Sequence, residues 1–260
     1  MFKSSIVTCV LSVSYCLLTL LGCTTCKKDV SPSLFPEEQR ISNIYDRVAR
    51  SVVLIKNKRK HPTMGVATYC MGSGYVVSCG MDKIIVTNYH VVDLAYSVWV
   101  VINEQEWEAD FVGGAKSCDI AIIRIKNPAI LQHMPSLTFG SSADLKVGQD
   151  VYTLGYPFAL PLTMTRGIVS GLNRRVCVGD DIDMHGCIQI DSAVNPGSSG
   201  GAVLNSRGEL IGMATMIMSR GGDFCGIAFA IPSDLIRTIV DSIMEEYNKM
   251  LIFFHNSLDY

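Results

Sequence analysis

Residues 191–201 read Asp-Ser-Ala-Val-Asn-Pro-Gly-Ser-Ser-Gly-Gly, two adjacent serines flanked by glycines. Glycine relaxes the steric limits on the backbone, so a tight turn can lift a serine hydroxyl while its own amide points inward. Backbone amides at such a turn can stabilise an oxyanion without any charged side chain. Taken alone, this sequence is also typical of a flexible loop, so other segments must separate the two interpretations.

Two segments upstream supply the partners that a nucleophilic serine needs. Residues 87–92 end a strand-like run and place His90 where the chain leaves it, although a lone histidine there is more often structural or exposed. Residues 117–123 place Asp119 at the mouth of an apolar strand, and a buried carboxylate needs a hydrogen-bonded partner. A histidine with an aspartate behind it and Ser199 in front is the set that acyl transfer requires.

Short β-rich runs separated by turn signals make up the body of the chain. They are Val52–Lys56, Val66–Ser78, Lys83–Asn88, Ser97–Ile102, Ile120–Ile125, Val151–Gly155, Thr163–Val176, Ile188–Asp191, Glu209–Met218 and Gly226–Ala230. Regularly spaced strands without intervening helices predict a barrel or sandwich. Because these strands are too many for one small barrel, we expect two, at about residues 51–126 and 147–231, joined by the linker 127–146.

Helical patterns flank the predicted barrels. Glu37–Arg50 has apolar residues at helical spacing and two acids at its start, which suits the positive end of a helix. Ser233 follows Pro232 and is expected to cap a helix over 233–249 that packs on the second barrel, with 250–260 as a tail. The predicted protease domain thus spans residues 37–249.

The composition excludes several classes of protein. Hydrophobic residues make up 48% of the 260 residues, which is enough for a sizeable core and excludes a disordered chain. The 22 Lys and Arg residues against 24 Asp and Glu residues give a net charge of −2. A nucleic-acid partner is not expected, because it would require a strongly basic face.

The N-terminal segment has the pattern of a secretion signal. Residues 6–21 are apolar or small after a single Lys3, which is short for a membrane span and right for the core of a signal peptide. Leu20-Leu21-Gly22-Cys23 resembles a bacterial lipobox, which implies a signal peptide over 1–22, lipidation of Cys23 and a tether over 23–36. An uncleaved signal anchor stays open as the alternative. Both interpretations place the protein at the cell envelope, membrane-attached and facing the periplasm or exterior.

The chain resembles the HtrA/Deg family of trypsin-like serine proteases in a collinear set of segments: 72–74, 87–92, 119–123, 155–158, 167–170, 191–201 and 227–232. The resemblance implies an all-β, chymotrypsin-like double β-barrel with a C-terminal helix, in which the first barrel supplies histidine and aspartate and the second supplies serine. It implies catalysis by His90 as general base, Asp119 as its orienter and Ser199 as nucleophile. The implied oxyanion hole is the backbone amides of Gly197, Ser198 and Ser199.

The resemblance also implies a specificity pocket. Val194 is expected to lie in it, with Ala214, Thr215 and Met216 forming another wall. No Asp or Glu matches the acidic base of a pocket for Lys or Arg. An apolar pocket favours small or medium aliphatic side chains before the cleaved bond.

The chain departs from the family after its last helix. Most members carry PDZ domains there, and only residues 251–260 follow in this sequence. We therefore expect a protease domain without a PDZ domain. Family members commonly form trimers through the start of the protease domain, which makes a homotrimer through residues 34–50 an expectation from resemblance alone.

The cysteine and histidine residues predict a disulfide and no metal site. Cys177 and Cys187 flank a turn-like acidic segment, 179–183, and a hairpin there would place them opposite each other and close enough to bond. The alternative is two free, partly buried thiols. Apart from Cys23 and Cys26, of which the lipobox already explains the first, no pair of ligands has zinc-like spacing. No cofactor is expected because the three catalytic groups suffice.

The function that these features favour is a membrane-anchored serine endopeptidase acting on unfolded or mislocalised envelope proteins. The alternative is a proteolytically silent chaperone-like or binding lipoprotein on the same fold. Loss of one catalytic residue would have favoured the alternative, but Ser199, His90 and Asp119 are all present.

Overall fold

The computed structural model describes residues 34–60, 67–178, 182–219, 221 and 224–258. The predicted signal peptide and Cys23 lie outside these residues. A helix, α1 (Pro36–Val48), leads through a short 3₁₀ turn (Ala49–Ser51) into the first strand. Ile44 and Val48 are its buried residues, as the helical spacing predicts.

Residues 52–125 form a closed barrel. Its strands are β1 (Val52–Lys60), β2 (Ala67–Cys79), β3 (Asp82–Thr87), β4 (Ala95–Ile102), β5 (Gln105–Ala115) and β6 (Ile120–Ile125), and the one-turn helix α2 (Tyr89–Val92) follows β3. The strands pair in the order β1-β2-β3-β6-β5-β4. All neighbouring pairs of this barrel are antiparallel, as expected for strands joined by short turns.

A second closed barrel follows a linker that contains the one-turn helix α3 (Ala129–Gln132). Its strands are β7 (Asp150–Gly155), β8 (Thr163–Val178), β9 (Ile182–Ile190), β10 (Ala202–Leu204), β11 (Leu210–Ile217) and β12 (Ala228–Pro232). They pair in the order β10-β11-β12-β9-β8-β7. The predicted all-β double barrel is therefore confirmed.

The apolar run Ile120–Ile123 of β6 arises because both faces of the strand are buried there. Ala121, Ile123 and Ile125 lie in the core of the first barrel. Ile120 and Ile122 lie in a cluster that also contains second-barrel residues such as Tyr152. Side chains alternate between the faces of a strand, so a strand lying between two cores needs no polar face.

The C-terminal helix, α4 (Ser233–Leu258), is longer than the sequence predicts and packs on both barrels. Ile236, Val240 and Met244 are buried in the shared cluster, and the helix contacts β5 of the first barrel as well as β11 and β12. Residues 250–258 continue the helix because they contain neither proline nor glycine to end it.

The predicted disulfide between Cys177 and Cys187 is wrong. Pairing of the two strands begins at Val178 and Ile182, so Cys177 lies opposite Asp183, and Cys187, four residues further along β9, lies opposite Arg174. Cys177 is exposed, Cys187 is fully buried, and both are free thiols. The prediction required the whole segment between the two cysteines to be the loop of the hairpin, whereas most of that segment is paired strand, which sets a different register.

Candidate active site

His90 and Asp119 meet at one end of the first barrel. His90 lies in α2, one turn after β3, and Asp119 lies between a 3₁₀ turn (Lys116–Cys118) and β6. The His90 Nδ1 atom is 2.8 Å from Asp119 Oδ2 and 3.0 Å from Oδ1. The backbone N–H of His90 donates a further hydrogen bond of 2.9 Å to Oδ1, so ring and backbone of the histidine both hold the carboxylate.

Asp119 adopts a strained backbone conformation that local hydrogen bonds stabilise. Its φ of 55° and ψ of 40° lie in the left-handed region, which is uncommon for a residue other than glycine. The Asp119 carbonyl accepts bonds from the Tyr89 N–H at 3.1 Å and from the Asn88 side-chain amide at 3.0 Å. This turn joins the two segments that carry the histidine and the aspartate.

Thr215 completes the surroundings of the Asp119 carboxylate. Its hydroxyl donates a 2.7 Å hydrogen bond to Oδ2 from β11 of the second barrel. Asp119 is fully buried, and a buried carboxylate is tolerated when donors surround it. Thr215 was predicted only in the pocket wall, since no local pattern indicates a partner 96 residues away.

Ser199 and His90 line one cavity, but the serine hydroxyl points to another partner. Ser199 Oγ donates a 3.3 Å bond to the Thr215 carbonyl, and the described residues include no hydrogen bond between Ser199 and His90. Catalytic hydrogen bonds are often long or poorly aligned without substrate. A rotation of the Ser199 side chain away from Thr215 is therefore needed before His90 can take its proton.

The loop before Ser199 forms a turn that uses one of the predicted oxyanion donors. The Ser198 N–H donates a 2.8 Å bond to the Asn195 carbonyl, with Pro196 and Gly197 as the central residues. Gly197 has a φ of +98°, as the third position of a type II turn requires. Ser198 is thus not an oxyanion donor in this structure, which leaves the amides of Gly197 and Ser199.

Glycine is required at two positions of this loop because other backbone lies close by. A Cβ atom on Gly197 would come within 2.5 Å of the Tyr156 carbonyl oxygen. A Cβ atom on Gly200, whose φ is +83°, would come within 2.1 Å of the Ser73 carbonyl oxygen. Any side chain at these positions would displace the loop that carries Ser199.

The cavity beside Ser199 has a volume of about 340 Å³ and is mostly apolar. Its lining residues are His90, Ile182, Val194, Asn195, Pro196, Ser199, Thr215, Met216 and Ile217. Val194, Thr215 and Met216 were predicted there, whereas Ala214 is fully buried in the second-barrel core, so its predicted place in the pocket is wrong. Ile182 was missed, because it reaches the cavity only through the pairing of β9.

The described part of the chain offers neither a metal centre nor a membrane-spanning helix. It contains no group of three His, Cys, Asp or Glu residues placed to hold a metal ion. None of the helices described is both long and apolar enough to cross a membrane.

The chain is similar to known proteases in sequence and structure. The trypsin-like peptidase domain family matches residues 72–213. "Probable periplasmic serine endoprotease DegP-like" of Halomonas elongata is 38% identical over 177 residues, which are 68% of this chain and 35% of that protein. "Periplasmic pH-dependent serine endoprotease DegQ" of Escherichia coli is 37% identical over 177 residues, 67% of this chain and 37% of DegQ.

A solved structure shows the same similarity in three dimensions. "HtrA-type protease AlgW with tripeptide" superposes with a TM-score of 0.69 at 31% identity, covering 79% of this chain and 64% of that one. The chain spans little more than a third of the length of the Halomonas and Escherichia relatives.

Proposed function

The chain belongs to the HtrA/DegP family of trypsin-like serine proteases, and on this basis we propose that it is a serine endopeptidase. Ser199 is the nucleophile, His90 the general base that takes its proton, and Asp119 the group that orients His90. The observation that carries the proposal is the 2.8 Å contact between His90 and the buried Asp119 at a cavity that Ser199 also lines.

The reaction proceeds through an acyl-enzyme. Ser199 Oγ attacks the scissile carbonyl as His90 Nε2 removes its proton, and the protonated ring then delivers that proton to the leaving amine. The amides of Gly197 and Ser199 stabilise the oxyanion. Water then attacks the carbonyl of the acyl-enzyme ester, with His90 again removing and delivering the proton, and releases Ser199. Asp119, held by His90 and Thr215, stabilises the imidazolium without taking the proton.

The substrates of this chemistry are proteins with accessible extended segments. Ile182, Val194, Met216 and Ile217 line the cavity, so an aliphatic side chain before the cleaved bond fits it. Unfolded or mislocalised envelope proteins supply such segments, because folding normally buries their aliphatic side chains.

The decisive test is labelling of Ser199. A fluorophosphonate probe should modify the wild type at Ser199 and leave Ser199→Ala unmodified, and only the wild type should degrade casein. Equal melting temperatures would show that the variant is folded. Wild-type protein that binds unfolded casein but neither cleaves it nor takes the probe would support the silent chaperone-like alternative.

Location at the bacterial envelope, with a lipid on Cys23, is the finer part of the proposal. Relatives with "periplasmic" in their names and the lipobox-like segment support it. Metabolic labelling with a fatty-acid analogue should mark the wild type and not Cys23→Ser. An unlabelled wild type would favour the uncleaved anchor.

Assembly into a homotrimer, the quaternary state that the family resemblance implies, is also part of the proposal. Sedimentation of the purified protein should give three times the chain mass, and a monomer would contradict it.

A further inference from the structure

Ser73 is a fully buried polar residue of β2 that the mechanism above does not use. It lies between Gly72 and Gly74 in the first barrel, yet its hydrogen bonds reach the loop of the second barrel that carries the nucleophile. Its hydroxyl donates a 2.7 Å bond to the Gly197 carbonyl and accepts a 2.9 Å bond from the Tyr156 N–H. The hydroxyl thus donates one hydrogen bond and accepts one, and both partners are backbone groups.

The backbone of Ser73 extends this connection in two directions. Its N–H donates a 2.8 Å bond to the carbonyl of Ser199 itself. Its carbonyl accepts a 2.7 Å bond from the hydroxyl of Thr87, three residues before His90. Ser73 therefore lies at the junction between the segment of the nucleophile and the segment of the general base.

The bond to Gly197 constrains the peptide that lies between the two oxyanion donors. Because a peptide unit is planar, holding the Gly197 carbonyl also sets the direction of the Ser198 N–H, which closes the turn onto Asn195. The preceding peptide is held by its Pro196 carbonyl, which accepts a 2.7 Å bond from the Phe158 N–H. Its Gly197 N–H consequently points away from Phe158.

The Ser73 hydroxyl links both of these restraints. Tyr156, which donates to Ser73, is two residues before Phe158, which holds the Pro196 carbonyl. A glycine whose φ is +98° has wide conformational freedom, so the Gly197 peptide would reorient readily without these bonds. Other bonds, such as that of Ser73 N–H to Ser199, would still hold the strand in place.

We propose that Ser73 is a positioning residue whose hydroxyl sets the direction of the Gly197 amide relative to the scissile carbonyl. This inference rests on the proposed function, since it concerns the oxyanion hole of that reaction. It predicts that loss of the hydroxyl weakens transition-state stabilisation and leaves ground-state substrate binding unchanged.

The test is Ser73→Ala, with Ser233→Ala as the matched control. Ser233, the first residue of α4, is also fully buried. Its hydroxyl donates a 2.8 Å hydrogen bond to the Gly140 carbonyl, at a position remote from the cavity beside Ser199. Both variants lose one buried hydroxyl that is bonded to a backbone carbonyl. A purely structural role for Ser73 would make them behave alike.

Three quantities are measured for a peptide ester with an aliphatic residue before the cleaved bond: kcat, KM and the inhibition constant of the matching peptide boronic acid. A boronate on Ser199 is tetrahedral and places an oxygen in the oxyanion hole. Ser73→Ala should lower kcat by about 10- to 100-fold and weaken the boronate by a similar factor, with KM unchanged within about twofold. Ser233→Ala should keep the wild-type values.

Wild-type kcat in Ser73→Ala overturns the inference, and so does a fall in kcat without weaker boronate binding. If Ser73→Ala does not fold, Ser73→Cys fills the site with a slightly larger side chain and has only a weak donor, so it should lower kcat at least tenfold. Wild-type kcat in that variant would equally overturn the inference. Failure of the proposed function is recognised separately, on the wild type: a wild-type protein that neither cleaves substrate nor takes the fluorophosphonate overturns the proposed function, and with it the inference.

Discussion

Asp119 and Asp183 are both carboxylates held by several hydrogen bonds, and they differ in access to water. Asp119 is fully buried and is held by His90 and Thr215. The Asp183 side chain is 46% exposed at the end of the β8–β9 hairpin, where Arg175 donates two 2.8 Å bonds to it. The number of bonds is therefore a poor guide to their energetic weight.

Solvent explains the difference. When a partner of Asp119 is removed, the carboxylate loses a hydrogen bond while its charge stays buried. When a partner of Asp183 is removed, water hydrates the carboxylate at once. The active site should thus respond strongly to single substitutions, and the hairpin should tolerate them.

Asp119→Asn should have the largest effect. An amide in place of the carboxylate favours the wrong tautomer of His90, so kcat should fall on the order of 10⁴-fold while the fold is retained. The measurement is kcat for a peptide ester, with the melting temperature as a check on folding. A loss smaller than about tenfold would mean that Asp119 does not orient His90.

Cys177 and Cys187, on the two strands of the same hairpin, allow an exposed thiol to be compared with a buried one. Burial, with the nearby Cys118 acting in the same direction, raises the pKa of the Cys187 thiol to about 11. Because alkylation needs a thiolate that the reagent can reach, iodoacetamide at pH 8 should label exposed Cys177 at least about 100-fold faster than Cys187. Mass spectrometry of unreduced protein gives both rates, and recovery of a cross-linked pair would contradict the structure.

Thr215→Val tests the bond between the barrels. Valine keeps the shape but removes a donor from a buried carboxylate, which should lower the free energy of unfolding by about 1–3 kcal/mol and kcat by about tenfold. Thr153→Val is the control, since Thr153 is also a buried second-barrel threonine and accepts a bond from Ser192. Its kcat should match the wild type, and equal losses in both variants would argue against a role for the Asp119 bond.

Arg175→Ala should have the smallest effect. Its guanidinium lowers the pKa of the Asp183 carboxyl, so any stabilisation is present above the ordinary pKa of an aspartate and is lost as acid protonates Asp183. Because both side chains are solvated, the melting temperature should shift by less than about 2 °C near neutral pH, and the shift should become smaller as the pH falls below the ordinary pKa of an aspartate. A larger shift, insensitive to salt, would show that the hairpin is not the tolerant region described above.

Most of the fold was predictable because strands and turns leave local patterns. The apolar run of β6, the serine between glycines and the start of the last helix at Ser233 each depend on neighbours within a few residues. The predictions from sequence were wrong where the structure depends on contacts between residues far apart in the chain. The helix end at Leu258, the facing of Cys187 and the burial of Ala214 depend on packing and register.

The site divides in the same way. The residue types and order of His90, Asp119 and Ser199 are properties of the sequence, because acyl transfer needs those side chains and the family resemblance identifies their positions. The hydrogen-bond partners of Thr215 and Ser73 were decided by tertiary structure alone. These partners are set by how the two barrels pack, and buried polar groups must find partners wherever that packing brings them.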